Sequence, residues 1–252
     1  MTAALSLEQA VVRRGSRPVL SDATVSVAPG ELVVIVGPNG AGKTTLLQAA
    51  LGLARLSAGV ARLGGHDVTQ LSEAARAALA AYMPQERRVG WNLPAWRIAG
   101  LGVLDRPPAQ ARAVAEAMLA RVGLESLAGR GVLDMSGGER AKALLARLLA
   151  TGAPLLVADE PIVGLDPDAQ LLTLDLFREE AVRGAAVVLT LHDLTLAVRA
   201  ADRLLVVHEG RVVAAGTPTQ VLTPDLLRRV FSLDGAVETT SAGPVVVARR
   251  AS

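Results

Sequence analysis

Hydrophobic positions along this chain fall into two patterns. In Leu5–Val12 and Leu20–Val27 apolar and polar residues alternate, and the turn-like GSRP of Gly15 to Pro18 separates them. Alternation with period two predicts two half-buried N-terminal strands in an antiparallel layer. Elsewhere the apolar positions run together: LVVIV at Leu32 to Val36, then Pro154 to Ala158, Ala186 to Thr190 and Leu204 to His208. Such short unbroken runs are expected of parallel strands buried on both faces. Helix-like segments lie between them, the first from about Gly42 to Leu51, so the main body reads as a parallel sheet covered by helices. From about residue 86 the β-branched runs stop and alanine-rich stretches such as Ala109 to Val122 take over. Residues 1–252 are thus read as one domain, an α/β core with a mostly helical subdomain inserted at about 86–150. No heptad array or repeat of 20 to 50 residues is evident.

Composition narrows this picture. With 51% hydrophobic residues in 252 the chain has ample material for a packed core. No run approaches the roughly 18 to 20 apolar residues of a membrane span, and MTAALSLEQAVVRR lacks a basic segment followed by a long apolar one. The expectation is a chain neither secreted nor inserted on its own. The absence of cysteine excludes disulfides, thiolate metal sites and cysteine catalysis. A net charge of +2 with no basic block argues against nucleic acid as a partner. Of the 26 basic residues only Lys43 and Lys142 are lysines. In so arginine-rich a chain, Lys43 within a glycine loop marks a place that prefers a compact ammonium to a planar fork. Trp91 and Trp96 both fall in the helical interval; they either pack helices together or anchor a partner's helix.

The chemistry concentrates in two stretches. GPNGAGKT, from Gly37 to Thr44, matches GxxxxGK[ST] directly after a buried strand and directly before a helix, the context the motif requires. Glycines at 37, 40 and 42 let the loop curl so that the N–H groups of Gly37, Asn39, Gly40, Ala41, Gly42 and onward to Thr45 surround phosphates, with Pro38 contributing only its backbone shape. Lys43 would reach the β and γ oxygens, and the Thr44 hydroxyl would ligate Mg²⁺. LLVADE ends a second buried strand in two carboxylates, which need a cation or donors to offset their desolvation. Asp159 fits the Mg²⁺-side acid, and Glu160, pointing elsewhere, is placed to orient or deprotonate an attacking water.

With these residues in view, the chain resembles the nucleotide-binding domain of ATP-binding cassette (ABC) ATPases over nearly its whole length. Gln85 in AYMPQE looks like the glutamine that contacts Mg²⁺ and the attacking water and leads into the helical subdomain. Ser136, Gly137, Gly138 and Glu139 look like the signature motif, Gly164 to Pro167, including Asp166, like the D-loop, and His192 in TLHDL like the switch histidine. The resemblance implies a phosphate-loop NTPase core with a mostly parallel sheet, an N-terminal antiparallel β layer and an inserted helical subdomain. It also implies ATP and Mg²⁺ as ligands, and a homodimer in which Ser136 to Glu139 meet the ATP held by the other protomer. A serine and two glycines opening a helix suit that task, because such an N-terminus presents free N–H groups to an anion. His192 would stabilise charge on the γ-phosphate. His66 and His208 have no such setting.

Three departures from the family pattern stand out. An aromatic that stacks on adenine is usual before the first turn, whereas this chain has Arg13-Arg14-Gly15, and the Arg14 guanidinium is the available planar group. Met135 replaces a usual leucine, a volume-conserving change. Glu139 replaces a common glutamine.

What the resemblance implies beyond ATP hydrolysis is a peripheral subunit on the cytoplasmic face of the inner (plasma) membrane. It would act on two transmembrane permease subunits, docked near Gln85 to Trp96, and indirectly with an extracytoplasmic substrate-binding protein. LDPDAQ and the tail through LTPDLLRRVF resemble ATPases of importers for iron-siderophores, haem and cobalamin. Alternatives are an importer or exporter ATPase for another substrate, and a soluble ABC-type ATPase in cluster assembly. A long coiled-coil insertion, zinc cysteines and a second cassette, which would mark nucleic-acid or translation members, are all missing.

Overall fold

In the computed structural model, which describes residues 2–251, the two alternating segments form β1 (Leu5–Arg14) and β2 (Arg17–Val27), paired antiparallel. The turn between them is tighter than the sequence suggested. Only Gly15 and Ser16 lie outside the strands, and Gly15 takes a left-handed φ of 62° that a two-residue reversal needs. Next come β3 (Leu32–Val36), α1 (Lys43–Ala50), β4 (Ala58–Leu63), β5 (His66–Asp67), α2 (Glu73–Leu79) and β6 (Ala80–Met83). Between β6 and the next strand the regular elements are helical: α3 (Ala95–Gly100), α4 (Pro108–Arg121) and α5 (Gly137–Ala150), with three short 3₁₀ turns. The chain then alternates through β7 (Leu155–Asp159), α6 (Pro167–Val182), β8 (Ala186–Thr190), α7 (Leu194–Ala200) and β9 (Arg203–His208). It ends with β10 (Arg211–Gly216), α8 (Pro218–Val221), α9 (Pro224–Phe231), β11 (Leu233–Thr240) and β12 (Gly243–Arg250).

The central sheet has the order β10-β9-β3-β8-β7-β6, and all its pairings are parallel except β10 against β9. Its burial explains the unbroken apolar runs. Val34, Leu156, Leu189 and Val206 face a core shared with α3 to α9, while Val33, Val157, Val188 and Val207 face a second core shared with α1 and the antiparallel sheet β2-β1-β4-β5. Because successive side chains point to opposite faces, a strand sandwiched between two layers must be apolar at every position. Each such Val or Leu is worth about 1.5–3 kcal/mol of burial. A charge placed at Val34 would be stranded between two dry layers.

Two local contacts order the helical side of this sheet. Arg121 at the end of α4 donates to Glu180 Oε1 at 2.7 Å and Glu179 Oε2 at 2.8 Å on α6. The tail helix α9 is capped by Thr223, whose hydroxyl accepts from Leu226 N at 3.2 Å, and it buries Leu226, Leu227 and Val230. The β11–β12 hairpin that follows was not marked by the hydrophobic pattern. Along each of its strands a half-buried stretch is followed by an exposed one, with no fully buried position and no alternation between faces. Among the described residues no helix is long and apolar enough to cross a membrane.

Candidate nucleotide-binding site

The parallel strands of the central sheet all run to one edge, and the candidate residues sit in the loops that leave it. The glycine loop follows β3, Gln85 follows β6, Glu160 follows β7 and His192 follows β8. Crevices outside the carboxyl ends of parallel strands are where open α/β sheets bind ligands. A cavity of about 530 Å³ opens there, lined by Arg14, Val19, Asn39 to Thr45, Gln85, Glu160 and His192.

The glycine loop owes its path to two positions. A Cβ on Gly37 would sit 2.1 Å from the Val207 carbonyl oxygen, so only glycine lets the loop pass the end of β9. Gly42, the residue that precedes α1, has φ 107°. Past it, the N–H groups of Lys43, Thr44 and Thr45 find no acceptor among the described residues, which leaves the helix N-terminus open toward the cavity. Donors at a helix start, with the macrodipole behind them, favour an anion. The Lys43 ammonium rests on the Gly37 carbonyl at 2.8 Å and the Pro38 carbonyl at 3.2 Å. Burial lowers its pKa from the ordinary lysine value, opposed by the negative charges of Glu160 and Asp159. Arriving phosphate oxygens would offer the same cation stronger acceptors.

Behind the loop, Asp159 is fully buried. Its Oδ1 accepts from the Thr190 hydroxyl, whereas Oδ2 has no partner among the described residues. An orphaned carboxylate oxygen, buried on the α1 side of the sheet, fits a cation. Among the described residues no cluster of three or more His, Cys, Asp or Glu could hold a metal unaided. Mg²⁺ suits that shortage, since it commonly takes one or two protein oxygens and completes its shell with phosphates and water. Asp159, the half-buried Thr44 and Gln85 at the cavity wall are the side chains available to it.

Glu160 is the most constrained residue of the site. It is 7% exposed and adopts φ 53°, a left-handed conformation that costs a side-chain-bearing residue roughly 1–2 kcal/mol. Its N–H donates to the Thr190 hydroxyl at 2.8 Å. Its carboxylate accepts from Gln85 Nε2 at 2.8 Å through one oxygen and pairs with His192 Nε2 through the other. Three loops thus converge on one carboxylate at the cavity wall. The left-handed turn sends Glu160 away from the direction of Asp159, so the two neighbouring acids serve different places.

Ser136 to Glu139 and Asp166 are not brought to this cavity. Ser136 is the N-cap of α5: its hydroxyl accepts from Glu139 N at 3.2 Å, and Glu139 Oε2 accepts from Ser136 N at 2.8 Å, a reciprocal capping box. The backbone bond from Ser136, then its side chain, hold the Glu139 carboxyl below its ordinary value of 4.5. Glu139 therefore faces its own helix end, while the N–H groups of Gly137 and Gly138 stay free among the described residues. Asp166 caps α6 through its bond from Ala169 N at 2.9 Å. A Cβ on Gly138 would lie 3.7 Å from the Gly164 carbonyl oxygen, so the start of α5 lies beside Gly164 to Asp166.

Sequence reasoning overlooked two residues. Thr190 bridges both acids; the sequence signal was only that the two apolar runs each end in a polar residue, and the parallel pairing of β7 with β8 is what sets Asp159 opposite Thr190. Arg87 donates to the carbonyls of Glu160, Pro161 and Val163, contacts between residues 73 or more apart that no spacing reveals. The tryptophans part company. Trp96 packs against the core with Arg112 and Arg97 stacked 4.9 and 5.2 Å from its ring centre, whereas Trp91 is 76% exposed. His66 and His208 lie off the cavity.

A phosphate-cradling helix start, a buried acid with a free oxygen and a caged glutamate at a sheet's carboxyl edge define a phosphate-loop nucleotide-binding protein. The family model described as ABC transporter matches residues 20–163. A cobalamin import ATP-binding protein of Halobacterium salinarum is 43% identical over 238 residues, covering 91% of this chain; this chain spans 59% of that protein's length. A hemin import ATP-binding protein of Pseudomonas aeruginosa is 40% identical over 255 residues, covering 97% of this chain and 100% of its own. Among solved structures, an ATP binding subunit of an ABC transporter matches with a TM-score of 0.79 at 28% identity, over 90% of this chain and 92% of that one. The chain belongs to the ABC transporter family, as one of its ATP-binding proteins.

Proposed function

We propose that this chain hydrolyses ATP to ADP and phosphate as the ATPase subunit of an importer for a metal chelate of the haem, cobalamin or iron-siderophore type. The observation that carries the hydrolytic reading is Glu160, held by Gln85 and His192 at the wall of the cavity that contains the phosphate loop. In this reading Gly37 to Thr45 hold the phosphates, and Lys43 leaves its loop carbonyls for the β and γ oxygens. Thr44, Asp159 and Gln85 hold Mg²⁺, which when bound neutralises phosphate charge. Glu160 orients the attacking water and accepts its proton, and His192 donates to the γ-phosphate. The rate comes from positioning and electrostatics rather than from covalent chemistry.

Ser136, Gly137, Gly138 and Asp166 belong to the other half of the reading. They lie off the cavity of their own chain, and α5 presents free N–H groups. A homodimer with two ATP between its protomers would bring each such end to the partner's phosphate. Closure and reopening would then be passed to two transmembrane permease subunits at the cytoplasmic face of the plasma membrane, fed by an extracytoplasmic binding protein. A second cavity, of about 580 Å³, supports a docking place near Gln85: Pro84 and Glu86 to Arg88 line one side and Leu101, Gly102, Leu104 and Asp105 another, beside α5. The import direction and the chelate class rest on the relatives, which are named for cobalamin and hemin import.

The Glu160→Gln variant tests the reading. ATP binding is expected to persist and hydrolysis to fall by about a hundredfold or more, with a dimer trapped by ATP in size-exclusion chromatography. Turnover at the wild-type rate would refute the role given to Glu160. Co-purification with a membrane permease supports transport; a soluble scaffold partner in its place points to cluster assembly.

A further inference from the structure

Arg87 lies in the stretch that leaves β6 for α3, two residues past Gln85. Its Nη1 donates to the Val163 carbonyl at 2.7 Å, and its Nη2 to the carbonyls of Glu160 at 2.8 Å and Pro161 at 3.0 Å. One guanidinium thus binds three of the four carbonyls from Glu160 to Val163. Its rigid fork of donors can hold several acceptors at once, which a single ammonium does less well. The side chain is half-buried; burial pushes its pKa down and the nearby Glu160 carboxylate pushes it back up. The segment it grips begins with Glu160 in its left-handed turn and runs on to Gly164 and Leu165, beside the start of α5.

We infer that Arg87 is a positioning residue for hydrolysis: by clamping the backbone of residues 160–163 it aims the Glu160 carboxylate and fixes the connection from that carboxylate to the surface formed by Gly164 to Asp166 and Ser136. This rests on the reading of Glu160 given above. The chain from 85 to 87 then holds Glu160 twice, Gln85 by the carboxylate and Arg87 by the backbone carbonyl. A displacement of this stretch, whose Glu86 and Arg87 line the cavity beside α5, reaches both grips together. Three bonds to one connector explain how a strained glutamate keeps its place without a glycine.

The test compares Arg87→Ala, Arg87→Lys and Glu160→Gln in the full chain, measuring kcat and KM for ATP, nucleotide affinity by fluorescent-analogue titration and Tm. Arg87→Ala is expected to lower kcat by about 10- to 100-fold, the size of loss that a small misplacement produces, with affinity within about twofold. Arg87→Lys is expected to recover part of that loss. An unchanged kcat in both variants overturns the inference, as does a parallel fall of kcat, affinity and Tm in both, which marks a staple of the fold only. If Arg87→Ala does not fold, Arg87→Lys decides alone: a lower kcat at unchanged affinity supports the role, and an unchanged kcat overturns it. An inactive Glu160→Gln beside a fully active Arg87→Ala removes this inference and spares the assignment of Glu160. Hydrolysis that survives Glu160→Gln removes both.

Discussion

Glu160 and Glu139 are both glutamates bound by donors at the start of a functional segment, and they are held by different means. Glu160 sits at the end of a buried strand, where residues from β6, β7 and β8 loops meet; its partners Gln85, Thr190 and His192 lie 30 or more residues away in sequence. Glu139 is held by Ser136, three residues earlier, and by no distant hydrogen bond among the described residues. The first end is assembled by the tertiary fold and faces a cavity. The second is a local helix cap that completes itself and faces outward, with its neighbouring glycine N–H groups unspent. In the function proposed above, a second copy of the chain is the missing half of a site finished on one side and open on the other.

The largest expected effect separates these two ends directly. Lys43→Ala removes the cavity's phosphate cation and is expected to cost about a hundredfold or more in hydrolysis together with ATP affinity. Gly137→Asp puts a carboxylate at the N-terminus of α5, which suits the helix dipole but repels a phosphate there, and hydrolysis should fall comparably while ATP affinity stays. Mixing the two inactive variants should restore measurable turnover, because one mixed dimer interface joins an intact loop to an intact signature. No recovery at any mixing ratio would mean that each chain completes its own site.

A smaller effect probes the finished end. Thr190→Val keeps the shape but strips the hydroxyl that serves both acids, leaving the Glu160 N–H and Asp159 Oδ1 unpaired. The expected cost is about 1–3 kcal/mol of stability, and kcat should drop more than ATP affinity. Calorimetry and steady-state kinetics on the same preparation check this, and an unchanged Tm would show that the Thr190 bridge is dispensable.

The smallest effect concerns the self-capped end. Since the Glu139 carboxyl is held below its ordinary value, the stability it adds is present above that value and is lost as pH falls through the lowered one. The Tm gap between wild type and Glu139→Ala should therefore narrow on acidification through the carboxylate range. A gap independent of pH would mean that the charge of Glu139 contributes nothing to the cap.

Much of this was legible in the chain itself. The unbroken runs at Leu32 to Val36 and Ala186 to Thr190 marked central strands, because a strand covered on both faces has no polar position to spare. The phosphate loop was equally plain, since Gly37 and Gly42 answer to backbone demands that sequence alone records. Ser136 to Glu139 were legible as the signature motif, whereas the reciprocal cap between the Ser136 and Glu139 side chains is what the structure adds. The β11–β12 hairpin escaped notice because neither of its faces is well buried.

What the sequence determined by itself is therefore local: strand runs, a glycine loop, helix starts and the order of motifs, each set by short-range backbone geometry and the burial of neighbouring side chains. Only the tertiary structure decided which carboxylate is caged and which faces its own helix, that Thr190 serves two acids, and that Arg87 grips the turn after Glu160. Those contacts join residues brought together by the parallel order of β6, β7 and β8, and hydrogen bonds between strand ends depend on register, which spacing along the chain does not encode.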